Sequence, residues 1–112
     1  MALYNFLPVY KHSYDLLIDL FKFTKELKRE YKYTIGEDIK KETVAMIRNI
    51  YQANSSASKK SFIQAARENL ETIRLYLRLS KDLKQINIKN FVKINEKIEL
   101  ISKQFFLWQR SI

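Results

Sequence analysis

Arg67-Glu-Asn-Leu-Glu-Thr-Ile-Arg-Leu-Tyr-Leu-Arg-Leu-Ser-Lys-Asp-Leu-Lys84 is the stretch that decides the fold of this chain. Advancing about 100° per residue, it reads as a helix with three separate strips. Phe62, Ala66, Leu70, Ile73, Leu77 and Ser80 fall on one face at three- and four-residue steps. Lys60, Arg67, Arg74, Arg78 and Lys81 gather in a narrow arc beside it, and Leu75, Tyr76, Leu79 and Leu83 make a third strip. One apolar stripe seats a helix in its own domain. The basic arc and the second apolar strip indicate that this helix also meets something outside it.

The rest of the chain supplies partners for the first strip. With 112 residues, 46% of them apolar, residues 1–112 form one domain with a modest core rather than a disordered segment. A single Gly and a single Pro leave too few turns for a barrel or sandwich, which points to an all-α fold. After a short apolar arm at 1–7, Pro8 fits the first turn of a helix, where its missing amide hydrogen costs nothing. That helix, about 9–27, carries two apolar arcs: Tyr10, Tyr14, Leu17, Ile18 and Phe21, and Leu16, Leu20, Phe23 and Leu27. Two arcs exceed one intramolecular face, so either the helix lies deep in the bundle or one arc meets another subunit. Leu16, Leu20 and Phe23, with Leu75 and Leu79 of the third helix, are the candidate interface residues.

Lys28–Tyr33 reads as a basic, aromatic link. Thr34-Ile-Gly-Glu37 fits a capping box opening a second helix at about 35–53. Its core stripe is Ile35, Ile39, Thr43, Met46, Ile47, Ile50 and Tyr51, with Lys41 and Arg48 opposite. A polar turn at 54–58 ends on Ser58, a candidate N-cap for the third helix, about 59–84. Asn87 then caps a fourth, about 88–109, whose Phe91, Ile94, Ile98, Ile101, Phe105 and Trp108 repeat at three- and four-residue steps. Short links between four helices predict an antiparallel, up-down-up-down four-helix bundle.

Residue chemistry argues against an enzyme. The chain has one His, His12, and no Cys, so it lacks a His-based metal site, a disulfide framework and a Cys nucleophile, and calls for no cofactor. A single Gly excludes a Gly-rich phosphate loop. No segment reads as a signal peptide or a membrane span, and the expected setting is the cytoplasm. Charge is the stronger signal: 21 Lys and Arg against 12 Asp and Glu give +9, with a pI near 9.8. Such an excess favours a polyanionic partner. Arg67, Arg74, Arg78 and Lys81 span about 20 Å along a helix, enough to follow several phosphates without reading bases. Tyr31, Tyr33 and Tyr76 are candidates for stacking on bases. The alternative is a solvent face whose arginines pair with Glu71 and Asp82 three or four residues away.

Four segments carry a resemblance to a known family: Glu30-Tyr-Lys-Tyr-Thr-Ile-Gly-Glu-Asp-Ile-Lys-Lys-Glu42, Ile50-Tyr-Gln-Ala-Asn54, Glu68–Leu83 and Lys93–Trp108. Together they resemble the bacterial four-helix-bundle proteins. That group includes those encoded in intervening sequences of 23S ribosomal RNA genes and, more closely here, the accessory variability (Avd) proteins of diversity-generating retroelements. The resemblance implies a non-catalytic accessory protein, assembled as a homopentamer with a basic surface. It would act with a reverse transcriptase, its template RNA and the mutagenised cDNA. It also implies that Arg74 and Arg78, the Arg-x-x-x-Arg pair of the third helix, belong to the basic contact surface. An intervening-sequence-type protein and a purely structural oligomeric bundle are the alternative readings.

Overall fold

The computed structural model describes residues 7–112; of the apolar arm, residues 1–6 lie outside this described part. It is an all-α, antiparallel four-helix bundle, about 43 × 23 × 20 Å. Helix α1 (Pro8–Thr24) opens with Pro8 in its first turn, after an extended Leu7. Helix α2 runs over 29–55 in three parts: α-helical Arg29–Tyr31, a π-helical turn Lys32–Gly36, and α-helical Glu37–Ser55. Helices α3 (Lys59–Asp82) and α4 (Ile88–Arg110) complete the bundle. Each helix packs on the next, and α4 returns to α1, closing the ring.

The core is largely where the helical arithmetic places it, except that Tyr51, assigned to the stripe of the second helix, is 46% exposed and Ile47 is only half-buried. Fully buried side chains come from all four helices: Leu16 and Leu20; Ile39, Met46 and Ile50; Ile63, Leu70, Ile73 and Leu77; Ile98, Ile101 and Phe105. On α3 the innermost residue near the start is Ile63, while Phe62 is only half-buried at the edge of the core. The two are neighbours in sequence and 100° apart, and the directions of α2 and α4 decide which points inward. Buried hydroxyls bond back into their own helices, Thr43 Oγ1 donating to the Ile39 carbonyl at 2.7 Å and Ser80 Oγ to that of Tyr76 at 2.9 Å. These two cost the core no unpaired donor, whereas the fully buried Ser13 Oγ has no hydrogen-bond partner among the described residues.

The expected capping box does not form. Helix α2 starts at Arg29, six residues earlier than the box predicts, and the segment read as a link is helical. Thr34 sits inside this helix, where its hydroxyl donates backwards to the Glu30 and Tyr31 carbonyls, each at 3.3 Å. Glu37 pairs forward with Lys40 at 3.4 Å. The Glu37 amide reaches back to the Lys32 carbonyl, the five-residue bond of a π turn. Gly36 lets this turn approach α1: a Cβ there would lie 3.2 Å from Leu27 Cδ1.

The other ends obey local chemistry. Asn87 Oδ1 accepts from the Asn90 amide at 2.8 Å and caps α4. Ser58 precedes α3 without a side-chain cap bond; instead Lys59 Nζ caps the end of α2, donating to the Ala53 and Asn54 carbonyls at 3.0 and 3.1 Å. Helix α3 closes in a Schellman turn, with Gln85 N–H on the Ser80 carbonyl, Lys84 N–H on that of Lys81, and Lys84 at φ 58°. The Gln85 side chain crosses to the α1–α2 turn, where its Oε1 accepts from the Lys28 amide at 3.0 Å. Both turns therefore lie at one end of the bundle.

Candidate nucleic-acid and partner surfaces

The basic row of α3 exists, but the fold distributes its charges unevenly. Lys60 and Arg78 are exposed, and Arg78 (79% exposed) has only Asp82, at 4.0 Å, beside it. Arg74 is 31% exposed and held twice: Nε lies 3.3 Å from Glu71, and Nη1 pairs with Glu99 of α4. Arg67 leans the same way and donates to Gln109 of α4. Lys81 places its ammonium 4.9 Å from the centre of the Phe91 ring. The residues nearest α4 thus stitch two helices together, and Arg78 and Lys60 are the most available to a partner. Glu71 and Asp82 partner these arginines as helical spacing allows; Glu99 comes from another helix, and no local pattern announces it.

The five candidate interface residues separate cleanly. Leu16, Leu20 and Phe23 are buried in the protomer's own core, so that arc of α1 is the inward one and is not open to a second subunit. Leu75 and Leu79 point outward from α3, 63% and 39% exposed. The outward arc of α1 is the other one, Tyr14, Ile18 and Phe21, joined across the groove to α2 by Lys40, whose ammonium lies 4.8 Å from the Phe21 ring centre. Val44, one turn further along α2, is exposed on the same side. What fixes the orientation of α1 is its polar flank. There His12 Nδ1 meets Gln104 Oε1 at 3.1 Å, and Asp19 pairs with Lys97, both on α4.

The three stacking candidates also separate. Tyr31 packs against the core. Tyr76 donates its hydroxyl to Asp38 across the α2–α3 groove at 3.1 Å, and this bond, helped by burial and nearby negative charge, raises its pKa. Tyr33, on the π turn, is 72% exposed. Just before it in sequence lies the densest positive charge of the chain, running from the end of the first helix into the segment that the sequence reads as a link. Lys22, Lys25, Lys28, Arg29 and Lys32 stand against Glu26 and Glu30 within eleven residues, and none of the five forms an ion pair among the described residues.

Comparison with known proteins places this geometry in context. The model of a family described as bAvd-like matches residues 8–112. No curated protein matches the chain. Among solved structures, the chain is similar to a protein of unknown function from the S23 ribosomal protein family of Bacteroides thetaiotaomicron VPI-5482. The TM-score is 0.82 at 18% identity, over 91% of this chain and 95% of that one. At that identity the likeness concerns the fold.

Proposed function

The chain belongs to the bAvd-like family, and from that premise we propose that it is a non-catalytic accessory protein of a diversity-generating retroelement. It binds the element's reverse transcriptase and template RNA and supports mutagenic cDNA synthesis. The family match over almost the whole chain carries this reading. Two further observations support it. The +9 charge favours a polyanionic partner, with Lys60 and Arg78 exposed on α3. Leu75 and Leu79, and Tyr14, Ile18 and Phe21, leave apolar strips on outer faces that suit contacts with further copies in a homopentamer or with the transcriptase. Phosphate contacts of this kind give largely sequence-independent, salt-sensitive binding.

The test is a reconstituted reaction of transcriptase and template RNA with and without the protein. Template-primed cDNA should depend on its presence. Equal synthesis in its absence, with no complex on size-exclusion chromatography, would reject the role. Sedimentation tests the assembly: a species of several protomers is expected, and a monodisperse 13.5 kDa monomer at micromolar concentration would remove the ring.

A further inference from the structure

We propose that the corner where the π turn of α2 meets the end of α1 is a contact for single-stranded nucleic acid, in which Tyr33 stacks on a base and Lys25 and Lys32 hold flanking phosphates. The proposal deepens the RNA-binding part of the function above and rests on it.

Phe21, Thr24 and Lys25 of α1 and its following turn, with Lys32, Tyr33, Glu37 and Lys40 of α2, line a shallow depression of about 180 Å³. Three of its seven residues are lysines and two are aromatic; the single acid, Glu37, is already matched by Lys40. Neither Lys25 nor Lys32 has a side-chain hydrogen bond or ion pair among the described residues. Tyr33 has none either, and its ring is the most exposed large apolar side chain among the described residues. Burial therefore does not account for an aromatic ring at this position.

The backbone here is specialised as well. Inserting a π turn costs hydrogen-bond regularity, and such turns concentrate at functional sites. This one spans Lys32–Gly36 and ends on the chain's single glycine, which seats it against Leu27 and Thr24. Ile35 and Gly36 stay buried while Tyr33 and Thr34 are carried outward.

The chemistry selects among polyanions. An aromatic face accepts any base, and ammonium groups beside it hold the backbone without reading sequence. A duplex keeps its bases stacked internally and has none to give Tyr33.

The experiment uses the full chain and fluorescence anisotropy with two labelled probes: an oligouridylate of about 12 nucleotides and an abasic ribose-phosphate strand of the same length. Tyr33→Ala should weaken the base-bearing strand by about fivefold or more while leaving the abasic strand unchanged, and Tyr33→Phe should bind as the parent does. The double variant Lys25→Gln, Lys32→Gln should reduce the slope of log K against log salt by about 1.4, since each single-strand phosphate contact contributes about 0.7. Lys103→Gln, an exposed lysine on α4, is the control for bulk charge. Circular dichroism checks that each variant stays helical. Parent-like binding of oligouridylate by Tyr33→Ala, or equal loss on both strands, would overturn the proposal while leaving RNA binding in place. An acidic peptide displaced by the same substitutions with no effect on RNA would assign the corner to a protein partner and also overturn it. A parent chain that binds neither strand would instead defeat the RNA-binding reading itself.

Discussion

Arg74 and Arg78 are one turn apart on the same helix, yet their surroundings predict opposite behaviour. Arg74 is pinned between Glu71, 3.3 Å from its Nε, and Glu99 on α4. Half-exposed pairs of this kind contribute about 0.2–1 kcal/mol each after side-chain entropy and solvent screening. Removing Arg74 takes away both and leaves two carboxylates facing each other. Arg74→Ala should therefore cost about 1 kcal/mol, a fall in Tm of about 4 °C for a domain of this size. Arg78 sits almost wholly in water, 4.0 Å from Asp82, and Arg78→Ala should cost at most a few tenths of a kcal/mol.

RNA binding should show the reverse order. A phosphate reaching Arg74 has to displace two carboxylates, whereas Arg78 is open. Arg78→Ala should lower the salt slope by about 0.7–0.9, and Arg74→Ala should leave it near the parent value. Thermal denaturation and anisotropy titrations across salt separate the two effects. A double-mutant cycle of Arg74→Ala with Glu99→Ala should give a coupling energy of about 0.5–1 kcal/mol. Should Arg74→Ala flatten the salt slope as much as Arg78→Ala without loss of stability, the α3–α4 stitch would not exist in solution.

Four other substitutions probe the fold. Ile98→Ala empties a fully buried site on α4 and should cost about 3 kcal/mol in urea denaturation. Gly36→Val should cost about 1–3 kcal/mol by overpacking, because even one added carbon meets Leu27 Cδ1 at 3.2 Å; unchanged stability would mean the π turn is not seated on α1. Lys84→Gly relieves a left-handed residue at φ 58° and should stabilise by about 1 kcal/mol in the same assay. The Tyr76 pKa is raised above the usual 10.0, first because its hydroxyl donates to Asp38, then by burial and nearby negative charge. An unfolded tyrosine ionises first as pH climbs, so this contribution is intact below the unfolded pKa and is lost as pH rises through the folded one. Tyr76→Phe should flatten that alkaline decline, measured by urea denaturation from about pH 8 to 11.

Repeating patterns were legible in the sequence, and long-range choices were not. The stripe Ile94, Ile98, Ile101, Phe105 goes inward as its spacing requires, and Asn87 caps α4 as its side chain allows. On α1 the spacing yields two apolar arcs of similar strength. Contacts of His12 and Asp19 with residues 92 and 78 positions away settle which is inner, and no local window contains them. The same limit hides Glu99 from a reading of Arg74. At Thr34 the local pattern misleads for a different reason. A Thr followed by Glu three residues later suits a helix start, yet the same hydroxyl is equally satisfied in mid-helix by the carbonyls behind it. Nothing in KREYKY distinguishes a basic link from a basic helical turn until the packing of Tyr31 against the core is known.

The π turn also sets how this protein tolerates changes in length. A π turn holds one residue more than the α-helical turn it replaces. Deleting a single residue within 32–36 can convert it to regular α-helix, leaving Glu37–Ser55 and every core contact of that segment in register. The short piece Arg29–Tyr31 would keep its direction as well, because the α turn left behind covers the same rotation with one residue fewer. The same deletion in α3 or α4 would turn half a helix away from the core. Among the described residues this slack belongs to the corner that carries Tyr33, so that corner can lose a residue while the bundle beneath it stays the same.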